Sequence, residues 1–83
     1  MNQAIQFLED ETLDTLRQSI IFSALVNGHK RFCAIRTDLL FNQFGEGEPL
    51  SVFQKFRWDI EEMAEKAIVA QCDDEAGYYW LSK

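Results

Sequence analysis

Histidine occurs once in these 83 residues, cysteine twice, proline once and glycine four times. Each scarcity removes a class of protein. Two cysteines, Cys33 and Cys72, are too few for the disulfide framework that staples small secreted domains. With His29 they fall short of the four Cys and His ligands of a structural zinc site. His29 has no serine or cysteine placed beside it to make a nucleophile–base pair. With so little proline and 47% hydrophobic residues, the composition is not that of a disordered chain. No apolar run approaches the ~20 residues of a membrane-spanning helix, and residues 1–4 lack the basic and apolar regions of a signal peptide. The cytoplasm is the expected location. Cations are also scarce: eight against 14 acids, a net charge of −6, which argues against a general nucleic-acid binder.

What is present is enough for one domain spanning residues 1–83, with a single core. Charge is unevenly spread. Residues 15–37 hold no acid while Arg17, Lys30, Arg31 and Arg36 fall there, and residues 59–75 hold seven acids against one lysine. The molecule is electrically polar although its net sign is negative.

Apolar residues Phe53, Phe56, Ile60, Met63, Ala64, Ala67 and Ile68 recur at steps of three and four, which predicts one long helix over residues 49–71. Pro49 suits its first position, and Ser51 with Gln54 offers a capping box two residues later. Upstream, residues 4–7 alternate like a strand, and residues 9–15 read as a connecting loop with a helical turn. Residues 18–26 and 31–36 form a hairpin about Asn27-Gly28, whose types tolerate the positive φ of a type I′ turn. Counting outward sets Val26 against His29, Ala24 against Arg31, Phe22 against Cys33 and Ile20 against Ile35. The face carrying Ile20, Phe22, Cys33 and Ile35 is assigned to the core. On the other face, Phe32 and Leu25 need partial cover. Thr37 reads as the N-cap of a short helix carrying Leu40, Phe41 and Phe44 inward, with Gly45 past its end. Residues 78–81 close the chain as a last strand.

The order is strand, strand, strand, helix, helix, strand. The predicted fold is α+β: a mostly antiparallel sheet of about four strands, with one short and one long helix on one face.

Several of these stretches carry a resemblance. Ile5-Gln6-Phe7, Phe22-Ser23-Ala24-Leu25-Val26-Asn27-Gly28, Cys33-Ala34-Ile35, Phe44-Gly45 and the helical Phe53 … Arg57-Trp58-Asp59-Ile60-Glu61 … Ala64 resemble a small bacterial family, domain of unknown function 1488. The similarity spans nearly the whole chain, and its specificity lies in the order and spacing of motifs that are each weak. It implies a compact cytoplasmic α+β domain, and implies no reaction, cofactor or catalytic residue.

No catalytic constellation emerges from the residues themselves. Residues 73–75 are acidic but lack the alternating ligands of a calcium loop. Gly45-Glu46-Gly47-Glu48 has no lysine and sets carboxylates where a phosphate loop would cradle phosphate. Glu61, Glu62 and Glu65 fall on the solvent side of the long helix, where nothing desolvates one of a pair for acid–base work. No catalytic residue, cofactor or metal ligand is assigned.

Two features stand out. Trp58 lies opposite Ile60 and Ala67 on the helical wheel, with Glu62, Glu65 and Val69 around it. Either it packs beneath the chain termini or the acidic loop, or it anchors a protein interface beside Arg57. The second feature is the basic hairpin, Lys30 and Arg31 with Arg17 and Arg36 near them, which either guards a strand edge or meets an acidic partner. That partner includes a second copy of the chain, giving a homodimer. The leading expectation is a non-enzymatic protein-interaction or regulatory module. The alternatives are a nucleic-acid-associated regulator using the hairpin cations, and a small-ligand binder or enzyme without a recognisable motif.

Overall fold

The structure is a computed structural model and describes residues 4–82. In chain order its elements are β1 (Ile5–Phe7), β2 (Thr12–Asp14), β3 (Ser19–Val26), β4 (His29–Arg36), α1 (Thr37–Phe44), α2 (Pro49–Lys55), α3 (Arg57–Val69) and β5 (Tyr78–Trp80). The α+β class is as predicted, with five strands in place of about four and three helices in place of two.

The β3–β4 hairpin is the centre of the sheet. Asn27 and Gly28 turn it with φ of 53° and 85°, the left-handed pair a type I′ turn requires. The register matches the count outward from that turn: Val26 opposite His29, Ala24 opposite Arg31, Phe22 opposite Cys33 and Ile20 opposite Ile35. β5 adds to β4 in parallel.

The outer edge of β3 carries both β1 and β2. Phe7 sits opposite Ala24 and Thr12 opposite Ile21, so residues 8–11 bulge past Phe22 and Ser23. The ladder is interrupted there, yet its polar groups stay paired. Ser23 accepts at its carbonyl from the Leu8 N–H at 3.0 Å. The Asp10 carboxylate takes the Ser23 N–H at 2.9 Å and the Ser23 hydroxyl. Ser23 is fully buried, so leaving its N–H unmatched would be costly. The connecting loop predicted over residues 9–15 is therefore corrected. Asp10 substitutes for a missing strand partner, and β2 follows it.

All three helices lie on the face of Ile20, Phe22, Ala24, Val26, Cys33 and Ile35. There Leu40, Phe53, Ile60, Ala64 and Ile68 complete one core cluster with Tyr79 and Leu81. Phe22 is its hinge, its ring 5.0 Å from that of Phe53 and 6.3 Å from that of Phe7. Phe44 and the helix-stripe residues Phe56, Met63 and Ala67, together with Phe7 of β1, pack against this cluster while staying partly exposed. On the opposite face Phe32 stacks on Tyr78 with centroids 5.6 Å apart, and the guanidinium of Arg17 stands 5.3 Å over Tyr78. Phe32 thus finds the partial cover it needs and stays 40% exposed.

The helix starts differ in detail from expectation. Thr37 is the first helical residue, with Arg36 at the cap position, because its N–H and hydroxyl both turn to the Gln18 carbonyl. Pro49 does open α2, but Glu48 caps it, accepting from the N–H groups of Leu50 at 3.2 Å and Ser51 at 3.0 Å. No capping box from Ser51 forms. The predicted single long helix is broken at Phe56, whose φ of −111° and ψ of 26° leave the helical region. Its ring stacks on Phe44, centroids 4.8 Å apart. The break lets α2 contact α1 and β2 while α3 runs beneath the sheet.

Candidate functional site

α3 starts at Arg57, immediately after the break at Phe56. Its inward residues Ile60, Ala64 and Ile68 are buried. At 3.6 residues per turn the opposite strip comprises Trp58, Glu62, Glu65 and Val69, at steps of four, three and four. Trp58 is 87% exposed and Val69 61%. Among the described residues the acidic loop does not cover Trp58; the chain termini, under which its other packing was expected, lie outside the described residues. Beside the strip, a groove of about 390 Å³ runs between α3 and the sheet edge, lined by Ile5, Phe7, Trp58, Glu61, Glu62 and Glu65. Among the described residues, every charged one lining it is a glutamate. Ile5 and Phe7 had no place in the sequence-level site. Their signal was present in the alternation of β1, which turns both toward α3, but it needed the pairing of β1 to β3 to be read.

Arg57 is placed otherwise than its neighbour. Its side chain is 17% exposed and forms an ion pair with Glu11, itself 9% exposed. It reaches Glu61 at 3.4 Å and lies 5.2 Å over the Phe53 ring. Gln54 donates to the same Glu11 carboxylate at 3.1 Å. Burial pushes the Glu11 carboxyl up, but the hydrogen bonds from Arg57, its own backbone and Gln54 outweigh this and hold it below the ordinary range. The Arg57–Glu61 pair is thus part of a half-buried cluster tying the start of α3 to the β1–β2 bulge. Glu11, 46 residues away, was not foreseen in that role.

The hairpin cations do not form one patch. Lys30 opposes Leu25 and Arg31 opposes Ala24, and adjacent residues of a strand point to opposite faces. Arg31 shares the helix side while Lys30 lies on the open face, 5.5 Å over Phe32. Arg17 is paired with Asp14 at 2.7 Å and Arg36 with Asp38 at 3.2 Å. His29 is exposed beside the turn.

A second groove of about 840 Å³ opens between α1, α3 and the end of β5, with Phe44, Met63, Ala67, Ala70, Cys72 and Trp80 among its lining. Cys72 is exposed there, while Cys33 is buried in the core, where burial pushes its thiol up to about 12. A thiol so protonated is no nucleophile. Among the described residues no three His, Cys, Asp or Glu side chains converge to hold a metal ion, and no helix is long and apolar enough to cross a membrane.

The architecture and the sequence as a whole have counterparts among known proteins. A family model described as "Protein of unknown function (DUF1488)" matches residues 5–81. The "Uncharacterized protein YrdB" of Escherichia coli (strain K12) is 43% identical over 84 aligned positions, covering 98% of this chain and 99% of that one. Its namesake in Shigella flexneri is 42% identical with the same coverage. A crystal structure of a DUF1488-family protein of unknown function from Shewanella loihica PV-4 superposes with a TM-score of 0.91 at 35% identity, covering 100% of this chain and 97% of that one.

Proposed function

The chain belongs to the DUF1488 family, whose description assigns no reaction, and from that premise we propose that it works by binding another protein through the outward face of α3. The observation carrying this reading is Trp58, 87% exposed on a helix whose inward face is fully packed. A tryptophan presents roughly 200 Å² of surface. At ~25 cal/mol per Å², covering it would yield about 4–5 kcal/mol as an upper bound. Tryptophan also dominates measured interface energetics out of proportion to its abundance. In this reading Trp58 is the anchor and Arg57 holds the start of α3 in place through Glu11. Lys30 and Arg31 are peripheral contacts on separate faces. The role is regulatory or adaptor-like, in the cytoplasm, where Cys33 and Cys72 stay reduced. The split of the cations between two faces, on a chain of net charge −6, weighs against nucleic acid as the partner.

The test is capture from native lysate, with and without nuclease, comparing wild type with Trp58→Ala at matched melting temperature. A nuclease-resistant partner lost in the variant is the expected result. A partner held equally by both proteins would move the interface off α3.

A further inference from the structure

The strip on α3 has an order as well as an anchor: apolar, acidic, acidic, apolar. Trp58 and Val69 stand at its ends, 11 residues or ~16 Å apart along the helix, with Glu62 and Glu65 between them. Glu65 makes no ion pair with any described residue. Glu62 has only Lys66, at 4.0 Å, both side chains at least 75% exposed. The adjoining groove adds apolar walls from Ile5 and Phe7 and, among the described residues, no cation. Carboxylates beside an exposed indole form a receptor for a cation, which gains from the charge and from the ring face together.

Resting on the reading of Trp58 as a docking anchor, we propose that this strip receives a cationic segment of a partner protein, with two lysine or arginine side chains between two apolar ones. A second copy of the chain does not fit. Antiparallel pairing of the strip about a twofold axis sets Glu62 against Glu65 of the copy, and parallel pairing sets each glutamate against itself. Both arrangements juxtapose like charges. Nor does a copy's hairpin serve, since Lys30 and Arg31 leave β4 on opposite faces, and the other cations on the side of Lys30, Arg17 and Arg36, are already paired with Asp14 and Asp38.

The spacing reads the same in both directions, so one probe suits either orientation. It is a twelve-residue alanine–glutamine peptide with leucine at both ends and lysine at its fifth and eighth positions. The comparison peptide carries glutamate at those two positions. Binding to the isotope-labelled full chain is followed by amide shifts and by the indole N–H of Trp58. The lysine peptide is expected to shift α3, Ile5 and Phe7. Its affinity should fall about tenfold or more in the Glu62→Lys/Glu65→Lys variant, and clearly as salt rises from about 50 to about 300 mM. Equal binding of the glutamate peptide, shifts centred on another surface, no binding at about 1 mM, or an unchanged affinity in the double variant would each overturn the proposal. So would a wild-type dimer, seen by sedimentation, that the double variant dissociates. Lysate capture separates this inference from the reading beneath it. A partner lost with Trp58→Ala but kept by Glu62→Lys/Glu65→Lys overturns the cationic segment and leaves the anchor standing. A partner kept by both overturns both.

Discussion

Replacing Arg57 by alanine should destabilise the fold far more than loss of a surface ion pair would. The guanidinium is 17% exposed and the Glu11 side chain 9%. Its removal leaves the Glu11 carboxylate nearly out of water, with Gln54 as its remaining side-chain donor. It also uncovers the Phe53 ring. Removing one partner of a buried pair costs ~3–5 kcal/mol; because both groups keep an edge in water, the lower end, about 3 kcal/mol, is expected. With a urea m-value of ~1 kcal/mol per M for a domain of this size, the midpoint should fall by about 3 M, and the melting temperature by roughly 12–24 °C.

The penalty should also depend on pH, with a definite sign. In the wild type the Glu11 carboxyl lies below its ordinary value. Its stabilisation is therefore complete above the unfolded carboxylate range and is lost as pH falls through the depressed folded value. In the variant the lowering by Arg57 is gone, so the carboxyl is held down less and acidification takes less stability from it. The two stability curves should converge between pH 7 and about pH 3. Arg57→Met with Glu11→Leu should recover most of the loss, since no charge is left buried. A loss under about 0.5 kcal/mol for Arg57→Ala, the worth of a solvated pair, or a penalty unchanged by acid, would refute the argument.

Other expectations follow from exposure and hydrogen bonding. Trp58→Ala should leave stability within about 0.5 kcal/mol by urea titration, as for other surface positions; a larger loss would mean the ring is packed. Under native conditions a thiol reagent should modify Cys72 and spare Cys33, whose thiol is buried and held protonated near 12, and mass spectrometry would show two modifications if the core opened readily. The Asp74 carboxylate accepts from the Tyr78 N–H and from the Trp80 indole at 2.7 Å, and these bonds hold its carboxyl below the ordinary 3.8. The Trp80 indole proton should therefore keep its shift to a pH below that value and then move, with the contribution of this turn to stability lost as pH falls; a midpoint at or above 3.8 would contradict the bonding.

How much of this could be read from the chain depends on the distance over which each feature is decided. The β3–β4 register was legible in full because it is local. Asn27 and Gly28 supply positive φ, and the residues opposite one another follow by counting. The strip of Trp58, Glu62, Glu65 and Val69 was legible for the same reason, since helical spacing alone places it opposite Ile60. The division of Lys30 from Arg31 was available too, because the same register assigns them to opposite faces, although adjacency in sequence suggests a single patch.

The β1–β2 bulge is another matter. Thr12–Asp14 has one apolar residue and no strand pattern of its own, and it becomes a strand because β3 offers an unpaired edge and Asp10 satisfies Ser23 where pairing lapses. Phe56 carries no glycine or proline signal for the break between α2 and α3. That break accompanies contacts to Phe44 and, through Arg57, to Glu11, neither of which is adjacent in sequence. By itself the sequence determined the elements with a period, which faces of them are apolar, and the α+β class, because these depend on geometry repeated every two or 3.6 residues. Only the tertiary structure decided which side chains of those faces stay wet. The exposure of Trp58 and the burial of its neighbour Arg57 depend on what the distant edge of the sheet places beside each.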